Sequence, residues 1–328
     1  MRMSALPGRA VLVALGAVLS ACGAVPADEV SHQAALSSVP QSALSGAPQG
    51  AGAPEIISHR TNPHFDGAIT VGGTGVVTPA ITYGGGPLIG SPTVYVIWYG
   101  NWNQTNGSDT PAGQQIVRDF ANSIGGSPYF GINTTYTDKA GKAVANKVAL
   151  AGQTIDTGTS KSLSDANIAT IVSNAITSNR LPNDPNGVYF VLTAAGIAES
   201  SGFLTKYCGW HTHATVGGSD VKYSFVGDAT GASLASCAQQ TTASPNGNPG
   251  VDAMLSVVAH ELEETVTDPD LNAWYDRQGA ENGDKCAWTF GTTYAAAGGG
   301  IANMKLGARD YLIQRNWRAG ATQGCFLS

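Results

Sequence analysis

The chain has 328 residues, only 12% of them charged, 42 of them glycine, and a formal net charge of −6. Charge this sparse, about half of what soluble domains carry and with no Lys/Arg cluster outside the N-terminus, argues against a nucleic-acid partner. With 42% hydrophobic and 8% aromatic residues there is enough apolar side chain for a packed core, which excludes a wholly disordered chain.

Arg2 and Arg9 precede a ten-residue apolar run, AVLVALGAVL, that ends in Leu19-Ser20-Ala21-Cys22. The run has signal-peptide length and is too short to span a bilayer. The four residues that close it resemble a bacterial lipobox, so residues 1–21 read as a lipoprotein-type signal peptide with Cys22 as the lipidation site. Ordinary secretion, with cleavage after Ala24 or Ala27, is the alternative. Loss of residues 1–21 would take the net charge from −6 to −8. Gly23 after the cysteine implies sorting to an outer membrane where the host has one. The expected location is extracytoplasmic, as an outer-membrane lipoprotein or a secreted protein, with the lipid as the only tie to a membrane.

Residues 22–65 are rich in Ala, Ser, Pro and Gly without sustained periodicity and read as a flexible tether. His32, His59 and His64 lie in or beside it and read as solvated. From about residue 66 to 328 the pattern becomes that of one domain. Thr93–Tyr99, β-branched and aromatic between Pro92 and Gly100, is a strand. Residues 110–124 form a helix, with Thr110 as N-cap and Pro111 at the first helical position. Residues 164–178 form another, with Ile168, Ile171, Val172, Ala175 and Ile176 on one face. Strands follow at 187–194 and 221–227. The alternation predicts a mixed α/β (α+β) domain, a mixed β-sheet packed by helices.

The last long helix is expected over about 251–267, entered through PNGNPG and stopped by Pro269. Val251, Leu255, Val258, Leu262 and Val266 form its apolar stripe, while His260 and Glu264 share another face. The chain has seven glutamates, and three of them are Glu261, Glu263 and Glu264. The order His260-Glu261-Leu262-Glu263-Glu264 resembles the zincin HExxH helix with a carboxylate in place of the second histidine. In such a helix the first and last residues ligate a metal one turn apart and the second is a general base. Zn²⁺ suits the set, and the carboxylates also suit Mn²⁺ or Ca²⁺. The bland alternative is a solvated helix end. Acids at the negative end of a helix dipole, however, call for a nearby cation.

Beyond the helix, Asp276, Glu281 and Asp284 are available. Glu281 resembles the more distal glutamate that completes a zinc metallopeptidase site, and Gly279 and Gly283 would let the backbone bring it in. Asp284 is expected to orient His260 through the ring nitrogen that faces away from the metal; Asp268 ranks below Glu281. Upstream, His211 and His213 share one face if their segment is extended. His211 is the candidate to complete the site or to bond a substrate oxyanion. Glu263, about 100° around the helix from Glu264, is expected to face solvent or a neighbouring loop and to tolerate substitution.

Cys208, Cys237, Cys286 and Cys325 remain after export, an even number that reads as two disulfides. Of three possible connectivities, Cys208–Cys237 with Cys286–Cys325 closes the shorter loops. No spacing is CxxC, so a cysteine zinc site is not expected.

Several segments then fall together: GGGPLIGSPTVYVIWYGNWN, GVYFVLTA with CGWH, SFVGD, VDAMLSVVAHELEETVTDP, and GARDYLIQRNW with a final GC. Over about residues 80–328 the chain resembles the EXORDIUM or phosphate-induced protein 1 family. The resemblance implies an extracellular, cell-wall-associated protein of this fold; the hydrolase reading rests on the chain's own His-Glu cluster. Together these give an exported metal-dependent hydrolase, zinc metallopeptidase-like, acting on peptide or cell-envelope substrate. The alternative is a non-catalytic extracellular binding module with a structural metal or none.

Overall fold

Two runs of consecutive apolar residues make the centre of the sheet. Thr93–Tyr99 (β2) and Gly187–Thr193 (β4) are buried along almost their whole length, which requires cover on both faces and is typical of parallel strands inside an α/β fold. In this computed structural model the described residues are 55–58, 80–231 and 233–328. The expected signal peptide, Cys22, His32, His59, His64 and most of the tether lie outside them. The described residues fall within one compact unit.

The main sheet has six strands. Besides β2 and β4 it contains Glu55–Ser58 (β1), Ala149–Asp156 (β3), Tyr207–Val216 (β5) and Ser219–Val226 (β6), in the spatial order β1-β5-β6-β4-β2-β3. β3, β2, β4 and β6 run parallel, whereas β5 pairs antiparallel with β6 and β1 antiparallel with β5. The sheet is therefore mixed, as the alternation of elements implied. β5 and β6 are joined by the tight Gly217–Gly218 turn, in which both glycines have positive φ, as such hairpins require.

Helices Pro111–Ser123 (α1), Asp165–Thr177 (α2) and Pro249–Thr267 (α3) carry the caps their sequences advertise. The Thr110 hydroxyl accepts from the Gly113 N–H at 3.0 Å. The Ser164 hydroxyl accepts from the Asn167 N–H at 3.3 Å while the Asn167 side chain accepts from the Ser164 N–H at 3.0 Å, a reciprocal capping box. The Asn248 side chain accepts from the Val251 N–H at 3.2 Å, and Pro249 follows at the first turn.

α3 departs from the expectation of a one-sided helix. Every residue from Gly250 to Thr267 is buried. One side of α3 lies on β5, β6 and β4, and α1 packs beside it. The 3₁₀ turn Phe130–Thr135 also lies against α3, and Asn282 and Asn316 hydrogen-bond to Glu263 near its end. Strand and helix approach closely at Gly209 in β5: a Cβ there would stand 2.6 Å from Val257 Cγ1 and 3.1 Å from Glu261 Oε1. A side chain would push α3 off the sheet.

Both expected disulfides are present. Cys208–Cys237 ties the start of β5 to the short helix Leu234–Cys237, and Cys286–Cys325 ties the turn Asp284–Cys286 to the C-terminal strand Gly324–Phe326. Each constrains the unfolded chain, the second across 39 residues. Replacing Cys286 and Cys325 together by serine is expected to lower the unfolding free energy by roughly 2–4 kcal/mol. Denaturant unfolding under non-reducing conditions measures it, and an unchanged midpoint would contradict this role.

Candidate metal centre

The last two turns of α3 set His260, Glu261 and Glu264 into a volume sealed by β5 on one side and the loop 276–286 on the other. His260 and Glu264 are one turn apart, so both project toward that loop. His260 Nε2 lies 2.8 Å from Glu264 Oε1, yet the pair does not meet hydrogen-bond geometry. Asp284 Oδ1 is 3.8 Å from the same nitrogen, and the Asp284 N–H donates to Glu264 Oε1 at 2.8 Å. Ligand atoms from His260, Glu264 and Asp284 all fall within 4.8 Å of one another. Glu264 Oε1 takes that one backbone N–H, and the His260 and Asp284 donor atoms converge beside it, an arrangement that can accept a cation.

Gly283 makes the approach possible. A Cβ at this position would stand 2.7 Å from Glu264 Oε1 and 2.8 Å from His260 Cδ2. Its φ of −69° is ordinary, so the requirement is for space rather than for backbone freedom. The loop is pinned from several directions. Asp276 Oδ1 accepts from the Gln278 and Ala280 N–H groups at 2.8 and 3.0 Å, and Asp276 Oδ2 lies 3.1 Å from Lys285 Nζ. Asn282 Nδ2 donates to the Glu263 carbonyl at 3.1 Å.

On the β5 side, His211 Nε2 is 2.9 Å from Glu281 Oε2 and 3.8 Å from Glu264 Oε2. His211, Glu261 and Glu264 also bring ligand atoms within 4.8 Å. Glu261, next to His260 but turned about 100° around the helix, faces Gly209. Neither of its oxygens has a hydrogen-bond partner among the described residues, and Glu264 Oε2 has none either. His211, His260, Glu261 and Glu264 are 0–1% exposed and Glu281 2%; Asp284, at 18% of its side chain, is the member that reaches solvent.

Burial dominates the electrostatics. It pushes Glu264 up to about 7 against the downward pull of His260, and, with Glu264 and Asp284 adding, it raises Glu261 well above the carboxylate range. His211 is pushed down to about 3 by burial, with His260 and His213 contributing, so its ring is neutral, the form that ligates metals. Burial alone would push His260 down too, but Glu264 and Asp284 turn its net shift upward. Ionised carboxylates without a counter-charge are costly in such a place. The donor set, imidazole nitrogen with carboxylate oxygen, fits Zn²⁺ or Mn²⁺.

The geometry distributes the sequence candidates differently from the simplest expectation. Asp284, expected only to orient His260, stands beside Glu264 and His260, whereas Glu281 pairs with His211. Asp268 Oδ1 accepts from the Asn272 and Ala273 N–H groups at 2.5 Å and closes the end of α3. His213 is half-buried, 2.9 Å from Asp220, in a cluster with Asp270 that Lys222 neutralises at 2.8 and 3.1 Å. Glu263 is the clear correction. It does not face solvent: it is fully buried and accepts from the side-chain amides of Asn133 and Asn316, the latter at 2.8 Å. Helical angle alone misled, because α3 is enclosed on that side too. Asn133 and Asn316 lie 130 and 53 residues away in sequence, and no local pattern marks them.

The profile described as the phosphate-induced protein 1 conserved region matches residues 81–311. Protein EXORDIUM-like 5 of Arabidopsis thaliana is 30% identical over 282 residues, covering 72% of this chain and 75% of that protein. Protein EXORDIUM-like 3 of the same plant is 31% identical over 281 residues, covering 72% and 80%. No solved structure matches.

The buried acids give a signed pH dependence for chelator-stripped protein. A carboxyl whose folded pKa exceeds its unfolded one stabilises the fold fully below the unfolded value and loses that contribution as pH rises through the folded one. Glu264, from 4.5 to about 7, and Asp268, from 3.8 to about 6, behave so, and Glu261 and Glu263 shift the same way. His211, depressed from 6.5 to about 3, acts in the opposite sense and is outnumbered. Stability of the stripped protein is expected to fall between about pH 4.5 and 7, and saturating Zn²⁺ to remove or reverse the fall. Thermal unfolding across that range is the check; stability that rises with pH in stripped protein would contradict the account.

Proposed function

The chain belongs to the phosphate-induced protein 1 family, and from the centre it carries we propose that it is an exported metal-dependent hydrolase acting on peptide or cell-envelope substrate. Its two disulfides fit an extracytoplasmic protein. His260, Glu264 and Asp284 would hold the cation, and His211 with Glu281 would complete the polar wall. A divalent cation bound there supplies Lewis acidity, polarising a carbonyl or ester oxygen and acidifying water in contact with it.

The observation that carries the catalytic reading is Glu261. It is fully buried, both oxygens lack hydrogen-bond partners among the described residues, and it stands beside the ligand set without bracing any backbone. A carboxylate retained at that cost with no structural bond is suited to taking a proton from water and returning it to a leaving group. Burial and the neighbouring acids raise its proton affinity, so its ionised form, where a nearby cation maintains it, is the stronger base. Asp284, on the solvent side, marks the direction from which substrate would reach the centre.

The competing reading is a structural metal in a non-catalytic extracytoplasmic binding module. The near-complete burial of the candidate ligands favours it, because a structural site is closed whereas a catalytic one keeps an open position. Substitutions separate the two. His260→Ala is expected to lower metal content and lose activity together. Glu261→Gln is expected to keep the metal and lower turnover roughly 100-fold or more, the scale of general-base loss. Metal content by mass spectrometry, beside hydrolysis of a mixed peptide and cell-envelope library, reads both. Full occupancy in the wild type with no hydrolysis of any substrate would move the assignment to the structural metal.

Lipid anchoring at Cys22 belongs to the same proposal. Cys22→Ser is expected to release the protein from membrane fractions and abolish lipid labelling; unchanged partitioning would end that part of it.

A further inference from the structure

Glu264 is the one member of the centre shared by both sides of it. Its Oε1 faces His260 Nε2 at 2.8 Å, with Asp284 Oδ1 3.8 Å from that nitrogen. Its Oε2 faces the other way, 3.8 Å from His211 Nε2, and that nitrogen is hydrogen-bonded at 2.9 Å to Glu281 Oε2, a shared proton that a cation there would displace. Oε2 is fully buried and has no hydrogen-bond partner among the described residues. Each oxygen of one carboxylate therefore looks toward a different imidazole–carboxylate pair. We propose that the centre holds two divalent cations, one between His260 and Asp284, the other between His211 and Glu281, bridged by the carboxylate of Glu264.

Three considerations support two ions over one. The first is geometric. A carboxylate that bridges two metals about 3.5–4 Å apart is the arrangement of two-metal hydrolases, and here both halves repeat the same chemistry, one imidazole and one carboxylate. The second is charge. Glu261, Glu264, Glu281 and Asp284 carry four negative charges when ionised; one divalent cation offsets half of these and two offset all. Buried sites tolerate little residual charge. The third is position. Glu261 lies near both His211 and Glu264, so it borders the gap between the two proposed ions and remains available as a base.

The cluster His213–Asp220–Asp270 provides a contrast within the same protein. It has a comparable set of donors, but Lys222 sits among them at 2.8 and 3.1 Å and supplies the cation itself. Among the described residues no lysine or arginine forms an ion pair with Glu261, Glu264 or Asp284 in the α3 centre.

The proposal rests on the metal-centre reading above, and metal stoichiometry distinguishes failure of one from failure of both. Full-length protein is stripped with a chelator, reconstituted with Zn²⁺ or Mn²⁺, freed of excess ion and assayed for metal per chain by mass spectrometry. The Mn²⁺ form is also read by electron paramagnetic resonance. About two ions per chain are expected, with a spin-coupled Mn²⁺ pair. His211→Ala is expected to retain one ion and to show an isolated Mn²⁺ spectrum. One ion per chain in the wild type overturns the two-ion proposal and leaves a mononuclear centre; none overturns the metal reading as well. Two ions in the wild type that persist in His211→Ala overturn the assignment of the second to His211 and Glu281. The wild-type stoichiometry stands as a test even where the variant does not fold, and Glu281→Gln, nearly isosteric, gives a second route to the loss of one ion.

Discussion

Carboxylates buried around one helix end impose the constraint on which the rest of this structure depends. Glu261, Glu263, Glu264, Asp268 and Glu281 are all 2% exposed or less. Each must be protonated, hydrogen-bonded or matched by a cation, since an uncompensated buried charge costs several kcal/mol. The protein uses different solutions for different members. Glu263 is held by two asparagine amides and Asp268 by two backbone N–H groups. Glu261 and one oxygen of Glu264 receive neither; their raised proton affinity lets them stay protonated in the metal-free protein, and a divalent cation is the partner we propose for their ionised forms.

The architecture around the helix follows from that need. The parallel strands form a rigid floor, and the antiparallel β5 brings His211 to its edge with Gly209 permitting close contact with α3. From the opposite side, the loop 276–286 delivers Glu281 and Asp284. Its own hydrogen bonds to Asp276 fix its shape, Gly283 lets it touch His260, and the Cys286–Cys325 disulfide anchors its end. Three separate segments thus meet with little freedom left to any of them, which is the preorganisation a metal centre needs.

Much of this was legible in the sequence wherever a local rule governed. Thr110-Pro111 marked the start of α1 because capping is a matter of three or four residues, the apolar face of residues 164–178 marked α2, and β2 and β4 showed as apolar runs because both faces of a central parallel strand are covered. The HELEE segment marked the helix of the centre, and sequential cysteine pairing matched both disulfides. What could not be read was governed by non-local contact. Strand β5 carries Gly, Cys and two His in ten residues, which dilutes its β pattern, and β3 presents alternation too polar to stand out. The surroundings of Glu263 depend on Asn133 and Asn316, whose meeting is set by the tertiary fold alone. The division of labour between Glu281 and Asp284, three residues apart on a loop, likewise depends on the path of the backbone rather than on spacing.

The central claim is that the end of α3 is a cation site. Crystals grown with Zn²⁺ and measured at wavelengths either side of the zinc absorption edge test it most directly. The account predicts an anomalous peak about 2.0–2.2 Å from His260 Nε2 and from a Glu264 oxygen. Zinc-saturated crystals with those side chains ordered as described and no peak between them would contradict it.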